Sequence, residues 1–321
     1  DTAKITVNYL DMDGNPIPGQ KPTIAYRKKS SSYLVTRPSI AGYTYEKSLD
    51  NNNVANKQLY RISDTNDIVI DLYYKKNLTL SATNKSKIYD GQALESTDLT
   101  DINTDYQAYL EPGDTLESIA FAGSQTDVGQ SATTPKDAVL KSGTTDRNYF
   151  YNIQYIPGVL TVTPQPVVVY IEGEIKDKIY DGKAETIGYS IKSIEDSSGL
   201  FKESMIVFNG SDTDKTLTKT DAGEYILSLQ NRFSSSSPNF SVDFHILDGK
   251  LTIDKRHLIL TSDSASKNYD GSELRADNIA ISAPTGVDYT GFVDGEGVVP
   301  TFLGGPTEPG FMPNYFNYQP K

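Results

Sequence analysis

The chain has no cysteine and no tryptophan, and only two histidines and three methionines among its 321 residues. Without cysteine there is neither a disulfide scaffold nor a thiolate metal site. The two imidazoles are a poor supply of general bases: His245 falls on the polar side of an alternating strand holding Phe244 and Ile246, and His257 lies at a domain junction. Neither belongs to a recognisable serine motif, and no Gly-rich phosphate loop opens a helix. The 42 acidic residues are scattered, so nothing in the sequence marks the paired carboxylates of a glycosidase. No enzyme, no metal and no cofactor is therefore expected. No stretch reaches the roughly 18 apolar residues of a membrane span. Residue 1 opens directly on a strand-like segment, so no membrane insertion and no signal peptide are expected within this sequence. A net charge of −12 argues against nucleic acid.

What the chain does contain is a repeat. Lys-Ile-Tyr89-Asp90-Gly91, Lys-Ile-Tyr180-Asp181-Gly182 and Lys-Asn-Tyr269-Asp270-Gly271 follow one another at spacings of 91 and 89 residues. Each is preceded by an apolar run: Leu78-Thr-Leu80-Ser, Val167-Val-Val-Tyr170 and Leu258-Ile-Leu260-Thr. Further landmarks follow in the same order: Thr126-Asp-Val-Gly129, Thr220-Asp-Ala-Gly223 and Thr307-Glu-Pro-Gly310, then Asn148-Tyr-Phe150, Pro238-Asn-Phe240 and Pro313-Asn-Tyr315. The first two copies close with Gly158-Val-Leu-Thr-Val162-Thr and Gly249-Lys-Leu-Thr-Ile253-Asp; the third has no such segment before Lys321, and a frayed end is expected there. A long fixed period means an array of like domains. The divisions fall at 1–75, 76–165, 166–255 and 256–321, with joints of two to four residues that make a semi-rigid string. A monomer is expected.

Segments such as Ile5-Thr-Val7-Asn-Tyr9, Ile68-Val-Ile70-Asp-Leu72 and Phe240-Ser-Val242-Asp-Phe244 alternate apolar with polar residues, the strand signature. No segment has a sustained helical period, although Ser96 to Ile102 and Ser193 to Lys202 could hold short helical pieces. Asp11-Met-Asp13-Gly14-Asn15 begins like a calcium loop, but Pro16 and Pro22 stand where an EF-hand needs glycine and a bidentate glutamate. Asp13-Gly14, and likewise Asp90-Gly91, Asp181-Gly182 and Asp270-Gly271, read instead as type I′ hairpin turns with Tyr89, Tyr180 and Tyr269 packed over them. Sequons at Asn77, Asn84, Asn209 and Asn239 are no more than an Asn/Ser/Thr-rich chain produces.

Ile5 to Ile17, the central Ala41-Gly42-Tyr43-Thr-Tyr45 and the closing Asp67-Ile-Val-Ile-Asp-Leu-Tyr73-Tyr-Lys-Lys76 together resemble a MucBP (mucin-binding protein) domain. The order Tyr-Asp-Gly, Thr-Asp-x-Gly, Asn-Tyr, Gly-x-Leu-Thr-Val-Thr over 76–321 is similar to the MBG and YDG-type repeats of the same adhesins; the third copy departs, with Glu308-Pro309 replacing Asp-x. The resemblance implies a mostly β, multidomain tandem array. Its N-terminal domain would be β-grasp-like, followed by small β-rich repeats, β-grasp-like or Ig-like. It implies a Gram-positive adhesin fragment, extracellular and cell-wall-anchored through a segment outside this sequence. The implied partner is mucin or another host glycoprotein or glycan. A passive stalk, or a binder of a host protein such as immunoglobulin, is the alternative.

Charge adds a direction. Lys plus Arg against Asp plus Glu is 10 to 8 in residues 1–75, then 6 to 11, 10 to 15 and 4 to 8. Sialate- and sulfate-bearing surfaces repel the acidic repeats and not the first domain. There, Tyr26-Arg27-Lys28-Lys29 with Tyr33 and Arg37 combines cations and rings, a pattern suited to an anionic sugar. The same residues would also serve as a solvated edge, and tyrosines in small domains commonly belong to the core.

Overall fold

The computed structural model describes residues 2–321, and these divide into two compact units, 2–165 and 166–321. In both, strands are the main regular structure, as the alternating sequence predicts, and the only helices among the described residues are short 3-10 turns. In the first unit, β1 (Thr2–Leu10), β2 (Thr23–Lys28), β3 (Ser32–Leu34), β4 (Tyr43–Asp50), β5 (Leu59–Arg61) and β6 (Ile68–Ser81) form the N-terminal fold. Its sheet runs β2-β1-β6-β4, with β1 and β6 parallel at the centre and the outer strands antiparallel. Ala3, Ile5 and Val7 alternate on one face of β1 and are fully buried with Ile70, Leu72 and Tyr74 of β6. That core face is closed by Ile17, Val35, Ile40 and the short β3–β5 pair, with no helix among the described residues 2–75.

β6 does not stop at the expected boundary after residue 75. It continues to Ser81, where Leu78 and Leu80 enter a second core, and pairs in parallel with β11 (Tyr151–Ile156). The two folds thus share one strand and one sheet. Between them in the chain lie β7 (Lys85–Ile88), β8 (Asp114–Ala122), β9 (Gly129–Ser142) and β10 (Thr145–Asp146); β12 (Gly158–Thr163) closes the unit, antiparallel to β9 and parallel to β7. Short 3-10 helices at Leu99–Asp101 and Thr104–Tyr109 fill the stretch after β7.

A buried arginine fastens this arrangement. Arg147 Nε donates to both oxygens of Asp114 at 3.1 Å, and its Nη1 donates to Asp13 at 2.8 and 3.0 Å. Tyr149 donates its hydroxyl to Asp13 (2.7 Å), Tyr151 donates to Asp114 (2.6 Å), and the guanidinium lies 4.4 Å from the Phe150 ring centroid. Burial opposes the Arg147 charge, yet the two carboxylates outweigh it and raise its affinity for its proton. A second ion pair, Lys76 to Glu111 at 2.6 Å, stands beside it.

The second unit contains β13 (Gln165–Gly173), β14 (Ile175–Ile179), β15 (Glu185–Ile187), β16 (Tyr189–Glu195), β17 (Ile206–Phe208), β18 (Leu217–Lys219), β19 (Gly223–Leu227), β20 (Phe233–Ser235), β21 (Phe240–Leu247) and β22 (Gly249–Asp254). Here β13 lies between β16 and β21, and β14 pairs in parallel with β22 exactly as its counterpart β7 does with β12, in each case the Tyr-Asp-Gly strand against the closing Gly-x-Leu-Thr strand. The helical piece expected at 193–202 is absent: β16 runs to Glu195 and a turn follows, because Asp196 accepts the N–H groups of Ser198 and Phe201. Next come β23 (Ile259–Ser262), β24 (Ile279–Ser282), β25 (Val298–Phe302) and β26 (Phe316–Pro320). The frayed end expected near Lys321 is also corrected: β26 pairs with β25, the Phe302 and Phe316 rings lie 5.7 Å apart and tilted, and Lys321 N donates to Gly297 O. The segment 263–270, counterpart of β7 and β14, is not a strand.

The Tyr-Asp-Gly turns are not type I′ hairpins. Gly91, Gly182 and Gly271 have φ of 77°, 71° and 78°, but the aspartates do not share that left-handed conformation. Instead Asp90, Asp181 and Asp270 each accept the backbone N–H two residues on at 2.9 Å, the geometry of an Asx turn. Each also takes a charge-assisted bond from the lysine three residues earlier, Lys87, Lys178 or Lys267, which holds each carboxyl below its ordinary pKa. Tyr89 and Tyr180 donate their backbone N–H to Thr163 and Asp254 of the closing strands, while the Tyr269 side chain is 64% exposed. At Asp13-Gly14 the chain does reverse between Leu10 and Pro16, but through a longer loop: Gly14 N bonds Asp11 O, and Gly14 alone has positive φ.

Candidate functional site

The strand alternation decides where the six candidate residues of the N-terminal fold lie. In β2, Ile24, Tyr26 and Lys28 share the face away from the core, whereas Ala25 and Arg27 share the core side. Tyr26 is 61% exposed and Ile24 is 54% exposed. Register places Lys4 of β1 opposite Tyr26 and Thr2 opposite Lys28, so this outer face gathers two lysines around an exposed ring. Lys29 follows in the turn at Ser30, whose φ of 66° reverses the chain into β3.

The other three candidates do not join this group. Tyr33 is buried in the core, so its ring cannot stack on a ligand; it supports Arg27, whose guanidinium lies 5.3 Å from the ring centroid. Arg27 also donates to the carbonyl of Tyr26 at 3.0 Å. Arg37 belongs to the opposite end of the sheet, 4.4 Å from the Tyr45 ring of β4 and bonded to Asn56 O at 3.4 Å. A single linear cluster thus separates into three places.

Two residues absent from the sequence-based set extend the outer face. Lys47 of β4 stands with its ammonium 5.4 Å from the ring of Tyr73 of β6, where burial and then Asp71 push the phenol pKa up. Asn8 donates to Asp71 at 2.7 Å, which moderates the positive charge toward the middle of the sheet. Lys4 was legible from Thr2-Lys4-Thr6 alternating against Ala3-Ile5-Val7; Lys47 was not, because a bulge between Tyr45 and Lys47 shifts its phase.

The edge of β2 is open, since β1 is its one partner among the described strands. Cations and rings on an open sheet can hold an anionic sugar by charge and stacking, and an open edge can accept an extended peptide. Residues 4–75, which carry this sheet, match the MucBP domain family. No curated protein matches the chain. Among the described residues no helix is long and apolar enough to cross a membrane.

Proposed function

We propose that the chain is part of a Gram-positive cell-surface adhesin that binds mucin or other host glycoproteins non-covalently, with the N-terminal fold as the contact module. The match of residues 4–75 to the MucBP domain supports this reading most directly. The outer sheet face supplies its chemistry: Lys4 and Lys28 attract sialate or sulfate, and Tyr26 offers a ring to the sugar. The protein is extracellular in this reading, with the wall anchor outside the sequence. The MBG/YDG-type segments act as further weak modules or as a spacer. A millimolar site is worth about 4 kcal/mol, and linked sites raise apparent affinity by roughly a hundredfold or more where geometry permits.

Binding of the 321-residue chain to immobilised mucin tests this. Wild type is expected to bind, to lose much of its binding after sialidase, and to weaken as salt rises. The pair Lys4→Glu and Lys28→Glu is expected to weaken binding at least tenfold at low salt. Binding that survives complete deglycosylation would transfer the role to protein recognition along the β2 edge, and no binding at all would leave a spacer.

A further inference from the structure

A second face of the first unit has a different chemistry. Beyond Lys76, β6 has no strand partner among the described residues on the side that β4 occupies further back; the last bond from the segment leading into β4 is Asn77 N to Gly42 O. In the second unit the comparable strand β13 has β16 on one side and β21 on the other. In the first unit the 3-10 helix Thr104–Tyr109 approaches instead, tied down where Asn103 N donates to Ser81 O. A groove of about 410 Å³ remains, within the range of about 300–1,000 Å³ typical of small-molecule sites.

Its floor is the polar side of β6, where Asn77, Thr79 and Ser81 alternate with the buried Leu78 and Leu80. Asn77 Oδ1 is held by Thr44 and Asn152, but its Nδ2 donates to no described residue. The Thr79 and Ser81 hydroxyls likewise bond no described residue. Tyr43, partly buried against the N-terminal core, and Tyr109, 59% exposed, complete the lining. The charges are one-sided: Lys76 is already paired with Glu111, whereas Asp105 contributes a carboxylate that is bonded only locally, to Asn103.

We propose that this groove binds a neutral pyranose, a hexose or N-acetylhexosamine of the glycan. A pyranose has an apolar C–H face that lies against a phenol ring and a rim of hydroxyls that match an amide, two hydroxyls and a carboxylate. Asp105 with no free cation disfavours sialate or sulfate here. The floor is a paired strand, and backbone bonds tie Gly42 and Asn103 to it at Asn77 and Ser81, so little ordering cost falls on binding. The assignment rests on the glycan-binding reading above and divides the ligand: acidic sugars on the outer face of β1 and β2, neutral sugars in the groove.

The test is titration of the intact chain with galactose, N-acetylgalactosamine, sialidase-treated mucin and untreated sialylated mucin, followed by calorimetry and saturation-transfer NMR, with Tyr109→Ala and Thr79→Val alongside. Thermal melts identify any variant that has lost its fold; both side chains are exposed, and neither change is expected to unfold the unit. Neutral-sugar binding is expected to be insensitive to salt, to weaken about tenfold in Tyr109→Ala, and to weaken less in Thr79→Val. If neutral sugars fail to bind while sialylated mucin binds, or if Tyr109→Ala binds them as wild type does, the groove assignment is overturned and the adhesin reading stands. If the chain binds neither ligand, both are overturned.

Discussion

Replacing Arg147 by methionine is expected to lower the unfolding free energy of the 2–165 unit by about 3–5 kcal/mol, because removing one partner of a buried ion pair leaves the other uncompensated. The stranded group is Asp114, whose side chain is 3% exposed and would keep only the Tyr151 hydroxyl as a donor from this cluster. The same change takes from Asp13 its guanidinium partner and leaves the Tyr149 hydroxyl as its one bond across to the next fold from this cluster. Urea titration followed by tyrosine fluorescence measures the loss. The double variant Arg147→Met with Asp114→Leu is expected to recover part of it, because no buried charge is then left alone; an Arg147→Met protein as stable as wild type would refute the account. Acid has a related effect. Burial alone would raise the Asp13 pKa, but the bonds from Tyr149 and Arg147 overcome it and hold the folded value below 3.8. A depressed folded pKa contributes stability above the unfolded value, and that contribution is lost as pH falls through about 4 and below. The stability difference between wild type and Asp13→Asn should therefore shrink as pH is lowered from 5 to 3.

Gly158→Ala is the second large effect, expected to cost about 2–3 kcal/mol, the upper part of the usual range for overpacking. A Cβ at position 158 would sit 2.4 Å from Thr83 O and 2.9 Å from Ala82 O, which are backbone atoms with no rotamer to change. The closing strand would have to move away from the start of β7, weakening the parallel pairing of residues 160–163 with 85–88. Gly249, which opens the counterpart strand, is crowded in the same manner by Glu174 O at 3.0 Å. The glycine that begins both Gly-x-Leu-Thr segments is thus required by close backbone approach. Thermal melting of Gly158→Ala against Val159→Ala, whose side chain is exposed, separates this cause from a loss of strand propensity.

The strands themselves were legible, because a two-residue alternation is local: Ala3-Ile5-Val7, Ile70-Leu72 and Leu160-Val162 each announce a buried face. Their partners were not. The parallel pairing of Ile5 with Ile68 joins residues 63 apart and leaves no trace in either segment. The Asp-Gly dipeptides signalled a positive φ at glycine correctly, but not the lysine three residues before each Tyr-linked aspartate that turns a hairpin motif into an Asx turn. In the candidate site, proximity in sequence misled for Tyr33, although the alternation Ser32-Tyr33-Leu34-Val35 already put Tyr33 with the buried Val35. Arg147 is the one arginine between residues 76 and 165, and its partners lie 33 and 134 positions away. Such a cluster exists only once the chain has folded.

The shared strand also has a mechanical meaning. Tension along the N-terminal fold enters at the start of β1 and leaves at the far end of β6, and these two strands are parallel neighbours over six paired residues. Load applied at opposite ends of a parallel ladder acts in shear, so its hydrogen bonds must yield together rather than one after another. Because β6 passes into the next sheet without a linker, the same load reaches the β6–β11 pairing directly. Force spectroscopy of the 2–165 unit should accordingly show a high, cooperative rupture, and a gradual peeling of strands at low force would contradict it.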